Sequence, residues 1–131
     1  MSNPPPASQL CFLSDLPARR EMEKVRFLGC VTSYSVSSGI LTLEHQYPVA
    51  STTKALVDVN LLLESLKSEQ TQVGAWVNVI GYIKMPPSAR PTKPARERPT
   101  VHVQAVLLWS AGPIDIKQYE TCLSNAEGAK T

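Results

Sequence analysis

Alternating side chains over residues 76–83 limit the fold of this chain more than any other feature of its sequence. One face of the segment would carry Val77, Val79 and Ile83. The other face would carry Trp76, Asn78, Ile80 and Tyr82, an outer surface that a partner could cover. A period of two is that of a β-strand with one face on a core. The chain must therefore contain a sheet in which this strand is half buried, and Gly81 falls on the buried register.

Four further β-rich segments accompany this strand. They span residues 25–34, 40–45, 54–59 and 100 to about 109. A short turn at residues 37–39 joins the first two segments into a hairpin, and Gly29 suggests a bend within the first. Five strands are therefore predicted.

A short helix is predicted between the third and fourth strands. Asn60 is a residue type favoured at N-caps, and residues 61–69 place Leu62, Leu63 and Leu66 on one stripe. Three strands, a helix, two strands and a helix are the elements of an all-β, five-stranded OB-fold Greek-key barrel. Such barrels bind oligonucleotides through the face of strands 2 and 3 and through the 1-2 and 4-5 loops.

The predicted barrel occupies residues 12–131 as a single domain, which suits a chain of 131 residues. Residues 1–11 are predicted to be a disordered lead-in, because their polar, proline-rich composition cannot bury apolar surface.

A C-terminal helix is predicted at residues 115–126. Asp115 and Gln118 have the spacing of a capping box, and Ile114 and Tyr119 occupy hydrophobic-staple positions. The apolar residues of this helix fall on one face: Ile116, Tyr119, Leu123 and Ala126. This face can pack on the barrel of its own chain or on a partner, and the residues alone leave both alternatives open.

The 4-5 loop at residues 84–99 is rich in proline and strongly basic. Five cations accompany one acid, so the loop carries a charge of +4 in a chain whose formal net charge is only +2. The cations are Lys84, Arg90, Lys93, Arg96 and Arg98. Because OB domains extend this loop over nucleic acid, they are candidate phosphate contacts. The alternative is a solvated insertion.

Aromatic side chains, which stack on bases in single-strand binders, are few in this sequence. Tyr34 and Tyr47 flank the 1-2 hairpin and are candidate stacking residues, although each could instead shield the rim of the barrel. The chain is therefore expected to bind nucleic acid only weakly by itself.

We find no catalytic or metal-binding constellation in the sequence. His45 and His102 accompany no nucleophile or phosphate-binding loop in a known arrangement, and the three cysteines form no Cys-x-x-Cys pair. We therefore predict neither catalysis nor a metal or other cofactor. The widely spaced cysteines suit a reducing compartment, and no apolar run is long enough to cross a bilayer, so we expect the cytosol or nucleus.

Five blocks of sequence occur in a specific order and spacing. They are FLSDLP (12–17), KVRFLGCVTSY (24–34), LTLEH (41–45), KALVDV (54–59) and VGAWVNVIGYI (73–83). In this arrangement they resemble the fungal Ten-one family, the small OB-fold subunit of the telomeric CST complex.

The resemblance implies an adaptor that pairs with the N-terminal OB domain of an Stn-one-type protein. It favours partner contact for Ile114 and the apolar helix face. It also implies a third CST subunit, binding of single-stranded telomeric DNA mainly through the complex, and indirect recruitment of DNA polymerase alpha-primase. Such a subunit would act in the nucleus at telomeric regions of chromosomes. The alternative is a free-standing OB protein that binds single-stranded nucleic acid.

Overall fold

The computed structural model describes residues 8–47, 53–84 and 100–128. Its strands are β1 (Gln9–Leu10), β2 (Lys24–Ser35), β3 (Ile40–Glu44), β4 (Lys54–Asp58), β5 (Trp76–Lys84) and β6 (Thr100–Ser110). The helix α1 (Ile116–Gly128) follows them. Strands β2 to β6 correspond to the five predicted strands.

Strands β2 to β6 close into a barrel in the order β2-β3-β4-β6-β5. The long strand β2 closes it, because its first part pairs antiparallel with β5 and its last part pairs antiparallel with β3. β4 and β6 pair in parallel, whereas β5 and β6 are antiparallel. This closed barrel confirms the predicted all-β, five-stranded OB fold.

The inner face of β5 carries the residues that the alternation predicts. Val77 and Val79 are fully buried, and Ile83 is 5% exposed. Gly81 lies on the same register, where a Cβ atom would lie 2.3 Å from the carbonyl oxygen of Gln104 in β6. A side chain at this position would therefore push the two strands apart.

β2 bends where it changes partners. Its pairing with β5 ends at Cys30, and its register with β3 shifts between Val31 and Ser33. Gly29 precedes this shift, and a Cβ atom there would lie 2.8 Å from the Cβ of Leu43. The bend suggested by Gly29 is present, and the glycine allows β3 to lie close to it.

The connection between β4 and β5 differs from its prediction. Two 3-10 helices, Asn60–Leu62 and Ser68–Gln70, replace the single helix expected over 61–69. Leu62 and Leu66 pack against the core as predicted, but Leu63 is 50% exposed. Local bonds compete with a continuous helix, since the hydroxyl of Ser65 donates to the carbonyl of Leu62.

Asn60 does not act as the predicted N-cap. Its side-chain amide donates to the carbonyl oxygen of Ser38 at 3.0 Å and to Oδ1 of Asp58 at 2.8 Å. The amide is engaged by the β2–β3 turn and the end of β4, so it ties these two segments together instead of capping a helix.

Regular structure begins earlier than residue 12. β1 pairs in parallel with β2, and Cys11 is fully buried. A 3-10 helix at Leu13–Ala18 then buries Leu13 and Leu16 in the barrel core. The fold thus includes residues 9–11 of the expected lead-in, because these residues extend the sheet and fill the core. Residues 1–7 lie outside the described residues.

Candidate partner-docking and nucleic-acid surfaces

The helix α1 begins directly after Asp115, which caps it. The backbone N–H of Gln118 donates to Oδ1 of Asp115 at 3.0 Å, and the backbone N–H of Tyr119 donates to its carbonyl at 3.0 Å. This is the N-cap interaction that the sequence predicts. The helix then extends to Gly128, two residues beyond its predicted end.

α1 lays its apolar face on the barrel of its own chain. The ring of Tyr119 has its centroid 6.3 Å from that of Phe12 and 6.2 Å from that of His45. Leu123, one turn further along, is 7% exposed. Tyr119 and Leu123 therefore pack on the barrel of their own chain in this structure. Their contact with a partner stays a prediction.

The other residues predicted for partner contact are less enclosed. Ile114 and Ile116 are half-buried, and Ile116 lines a groove between α1 and the barrel. Ala126 belongs to α1, but its side chain lies outside what the structure describes.

A buried histidine attaches α1 to the barrel. His45 follows β3, is 3% exposed, and has its Nε2 atom 2.7 Å from Oε2 of Glu120 in α1. Four aromatic rings have centroids within 5.3 to 6.3 Å of its own: Phe12, Tyr47, Trp76 and Tyr119. Sequence reasoning missed this contact because its two residues lie 75 positions apart and neither follows a local pattern.

The two tyrosines predicted to stack on bases lie at opposite ends of β3. Tyr34 pairs with Leu41 and packs against the barrel core. Tyr47 lies beyond the other end, with its ring centroid 4.8 Å from that of Phe12. The structure does not bring them into one stacking platform, and both pack on the protein as in the shielding alternative. Their contact with nucleic acid stays a prediction.

The outer face of β3 and β4 is the face with which OB barrels bind oligonucleotides. One outward row joins Thr42, Leu56 and His102, and a second joins Glu44 and Lys54. Neither strand carries an aromatic residue, and Glu44 and Lys54 have opposite charges. The described part of this face therefore gives a single strand neither a stacking platform nor a positive field.

Lys84 ends β5 and is the predicted phosphate contact that falls within the described residues. Its Nζ atom lies 3.7 Å from Oδ2 of Asp58 and 3.4 Å from Oε1 of Gln104. The remaining four predicted contacts lie outside the described residues: Arg90, Lys93, Arg96 and Arg98. Their role in binding nucleic acid stays a prediction.

Asp58 connects the β2–β3 turn with the start of the 4-5 loop, which runs from β5 to β6. These two loops flank the oligonucleotide-binding face. It accepts hydrogen bonds from the backbone N–H of Asn60 at 2.9 Å and from its amide, in addition to the contact with Lys84. Burial by itself would raise the pKa of Asp58, but the bonds from Asn60 and the charge of Lys84 outweigh it and hold that pKa below its usual value. The ionised carboxylate thus holds the start of the 4-5 loop near the β2–β3 turn.

A second outer surface, on β2, β5 and β6, is apolar. We call it the β5–β6 outer face, and it consists of Arg26, Ile80, Tyr82, Leu107 and Trp109. Ile80 pairs with Arg26 on one side and with Leu107 on the other, and Leu107 is 56% exposed. The guanidinium carbon of Arg26 lies 5.3 Å from the centroid of the Trp109 ring, a cation–π contact. No described carboxylate forms an ion pair with Arg26.

Three residues of the β5–β6 outer face are tryptophan, tyrosine or arginine: Arg26, Tyr82 and Trp109. Tryptophan, tyrosine and arginine are the residue types most enriched at binding hot spots. The sequence pattern places Ile80 and Tyr82 on an apolar outer surface, but it does not reveal Arg26 and Trp109, because their meeting requires the pairing of distant strands.

Within the described ranges, no group of three or more His, Cys, Asp or Glu side chains could hold a metal ion. No helix there is both long and apolar enough to cross a membrane.

A closed five-stranded barrel with a helix after its last strand makes this chain an OB-fold protein. The family model of Ten1, described as a telomere capping, CST complex subunit, matches residues 1–124, so the chain belongs to the Ten1 family. This is a family of capping subunits and not of enzymes.

Individual relatives agree with this assignment. The chain is 25% identical to protein ten1 of Schizosaccharomyces pombe over 121 residues, which cover 92% of this chain and 95% of that protein. Its fold is similar to a chain of the S. pombe Stn1–Ten1 complex, with a TM-score of 0.68, 24% identity and 94% of each chain covered. It is also similar to a chain of U. maydis replication protein A bound to ssDNA, with a TM-score of 0.55 and 14% identity. The match covers 92% of this chain and 90% of that chain. At these identities the two structures show the fold alone.

Proposed function

We propose that this chain is a nuclear adaptor of telomere capping that pairs with an Stn1-type OB subunit. Through that pairing it supports binding of single-stranded telomeric DNA, protection of chromosome ends and synthesis of the complementary strand. A third CST subunit and DNA polymerase alpha-primase are then engaged by the assembled complex. Membership of the Ten1 family and the fold shared with a chain of the S. pombe Stn1–Ten1 complex support this proposal.

The β5–β6 outer face is the observation that carries the proposal. Leu107 is 56% exposed on this face, beside the half-buried Ile80 and Trp109. Covering the exposed half of Leu107 contributes about 1 kcal/mol to association. Because Arg26 is already held over Trp109, it can donate hydrogen bonds to a partner carboxylate at a small cost in side-chain entropy. An exposed apolar face with a preorganised arginine fits a protein partner.

The outer face of β3 and β4 supports the adaptor over the free-standing binder. Base stacking contributes about 1–3 kcal/mol per base, and the described part of this face has no aromatic residue to provide it. The basic residues of the 4-5 loop would add phosphate contacts only, which position a strand without reading its sequence. Tight DNA binding therefore requires surfaces supplied by the partner.

Co-expression with the N-terminal OB domain of the Stn1 protein from the same organism tests the proposal. We expect the two chains to co-purify as a heterodimer, and we expect Leu107→Glu to abolish that pairing, because a buried unpaired charge costs several kcal/mol. The isolated variant should keep its melting temperature, since residue 107 is exposed.

The matched control is Leu61→Glu, which puts the same charge at a leucine that is 70% exposed in the 3-10 helix Asn60–Leu62. This control should pair normally. Equal recovery of the partner by Leu107→Glu and the wild-type chain would remove the β5–β6 outer face from the interface, and failure of the wild-type chain to pair would refute the heterodimer.

A further inference from the structure

A groove of about 400 Å³ runs between α1 and the barrel. Its lining includes Thr32, Glu44, His45, Trp76, Ile116 and Glu120. It therefore combines two carboxylates with an indole ring and an aliphatic side chain.

Negative charge predominates in the lining of the groove, although Lys54 of β4 lies opposite Glu44 in the strand register. No lysine or arginine lines it within the described part of the chain. Glu44 has no ion-pair or hydrogen-bond partner among the described residues, although it is half-buried. Cys30 also lines the groove, and the pKa of its thiol is raised first by burial and then by the negative charge of Glu44. A cation would be favoured here.

Hydrogen-bond acceptors also outnumber donors at this site. An ionised Glu120 only accepts hydrogen bonds, so the 2.7 Å contact assigns the ring proton of His45 to Nε2. The Nδ1 atom of the same ring is buried with no partner among the described residues. The carboxylates of Glu44 and Glu120 both line the groove and accept hydrogen bonds, so they favour a ligand that carries several N–H groups.

We propose that this groove receives an arginine side chain from a partner protein. A guanidinium has five N–H donors in a plane, which matches an acceptor-rich site, and it stacks on indole rings such as that of Trp76. Its aliphatic stem can lie along Ile116. Nucleic acid does not fit the site, because Glu44 and Glu120 repel phosphates. The proposal does not depend on the Stn1-type pairing, since it rests on the chemistry of the groove in the isolated chain.

Binding of a side-chain mimic to the full-length chain tests the groove directly. The chain has two tryptophans, Trp76 in the groove and Trp109 under Arg26, so their indole N–H signals in NMR form a probe and an internal reference. N-acetyl-argininamide should shift the Trp76 signal in a saturable way and leave Trp109 in place. N-acetyl-citrullinamide, the neutral analogue of nearly the same shape, should shift neither.

The charge of Glu44 is tested by Glu44→Gln, which keeps the size of the side chain. Affinity for N-acetyl-argininamide should fall about tenfold, the effect of losing one charge-assisted contact. Glu64→Gln removes the same charge at an exposed position outside the groove and should bind like the wild-type chain. An equal response of Trp76 to the citrulline compound, no saturable shift with the arginine compound, or unchanged affinity in folded Glu44→Gln would each overturn the proposal.

Discussion

The Nε2 atom of His45 and the Oε2 atom of Glu120 lie 2.7 Å apart, with side chains that are only 2% and 17% exposed. This contact joins the end of β3, the second strand of the barrel, to the C-terminal helix. Tyr119 and Leu123 accompany it with apolar packing. The helix that the Ten1 family resemblance assigns to partner contact is therefore positioned in part by one enclosed polar pair.

Removing that pair should loosen the helix. Glu120→Ala leaves His45 enclosed without its partner, so we expect the free energy of unfolding to fall by about 1.5–3 kcal/mol, the range for a bond to a charged group. Urea unfolding measures this change, and limited proteolysis should show faster cleavage within α1. Glu21→Ala, at an exposed glutamate, is the control and should change stability little. Equal stability of the two variants would show that the contact does not hold the helix.

Gly81 should tolerate no side chain. A Cβ atom at this position would lie 2.3 Å from the carbonyl oxygen of Gln104, so even Gly81→Ala should destabilise the barrel and Gly81→Val should prevent soluble expression. Asn78→Val enlarges the apolar surface of the same strand on its outer face and should stay folded. Soluble, cooperatively unfolding Gly81→Val protein would mean that β5 and β6 are not packed as described.

Much of the fold could be predicted from the sequence because its signals are local. The burial of Val77 and Val79 follows from a period of two, and the capping of α1 by Asp115 follows from residue type and spacing. The segment 61–69 was predicted wrongly as one helix, because its helical stripe competes with local hydrogen bonds such as that of Ser65.

The surfaces were harder to predict, because they are built from residues far apart in the chain. Arg26 meets Trp109 only after β5 has paired with both β2 and β6. His45 meets Glu120 only after the helix has folded back onto the barrel. The apolar helix face itself was visible in the sequence, but whether it would cover its own barrel was not.

Asp58 should make stability depend on acid pH. Because its pKa is lowered in the folded chain, its contribution to the free energy of unfolding is complete at neutral pH and is lost as the pH falls through that lowered pKa. The free energy of unfolding of Asp58→Asn should therefore depend less on pH, between about 5 and 3, than that of the wild-type chain. The difference should stay under about 1 kcal/mol, since the side chain is 23% exposed.

Thermal unfolding at several pH values measures this effect. Lys84→Met should reduce the same pH dependence in part, because the charge of Lys84 contributes to the lowered pKa of Asp58. Identical pH profiles for Asp58→Asn and the wild-type chain would rule out the carboxylate as a link between the two loops.

The basic 4-5 loop should contribute phosphate contacts within the assembled complex. Neutralising Arg90, Lys93, Arg96 and Arg98 together should lower the affinity of the heterodimer for single-stranded DNA modestly. Each lost contact should reduce the slope of log K against log salt by about 0.7. Preference among DNA sequences should hardly change. As a control, neutralising the exposed Arg20 and Lys67 should leave the slope unchanged. An unaltered slope in the quadruple variant would identify the loop as a solvated insertion.

Fluorescence anisotropy with a labelled G-rich telomeric oligonucleotide tests the adaptor account most directly. The isolated chain and its complex with an Stn1-type OB domain are titrated at two or more salt concentrations, one of them physiological. Because the described β3–β4 face has no stacking platform, the isolated chain should bind weakly and the complex should bind measurably more tightly. Nanomolar binding by the isolated chain at physiological salt would contradict the account and identify a free-standing single-strand binder.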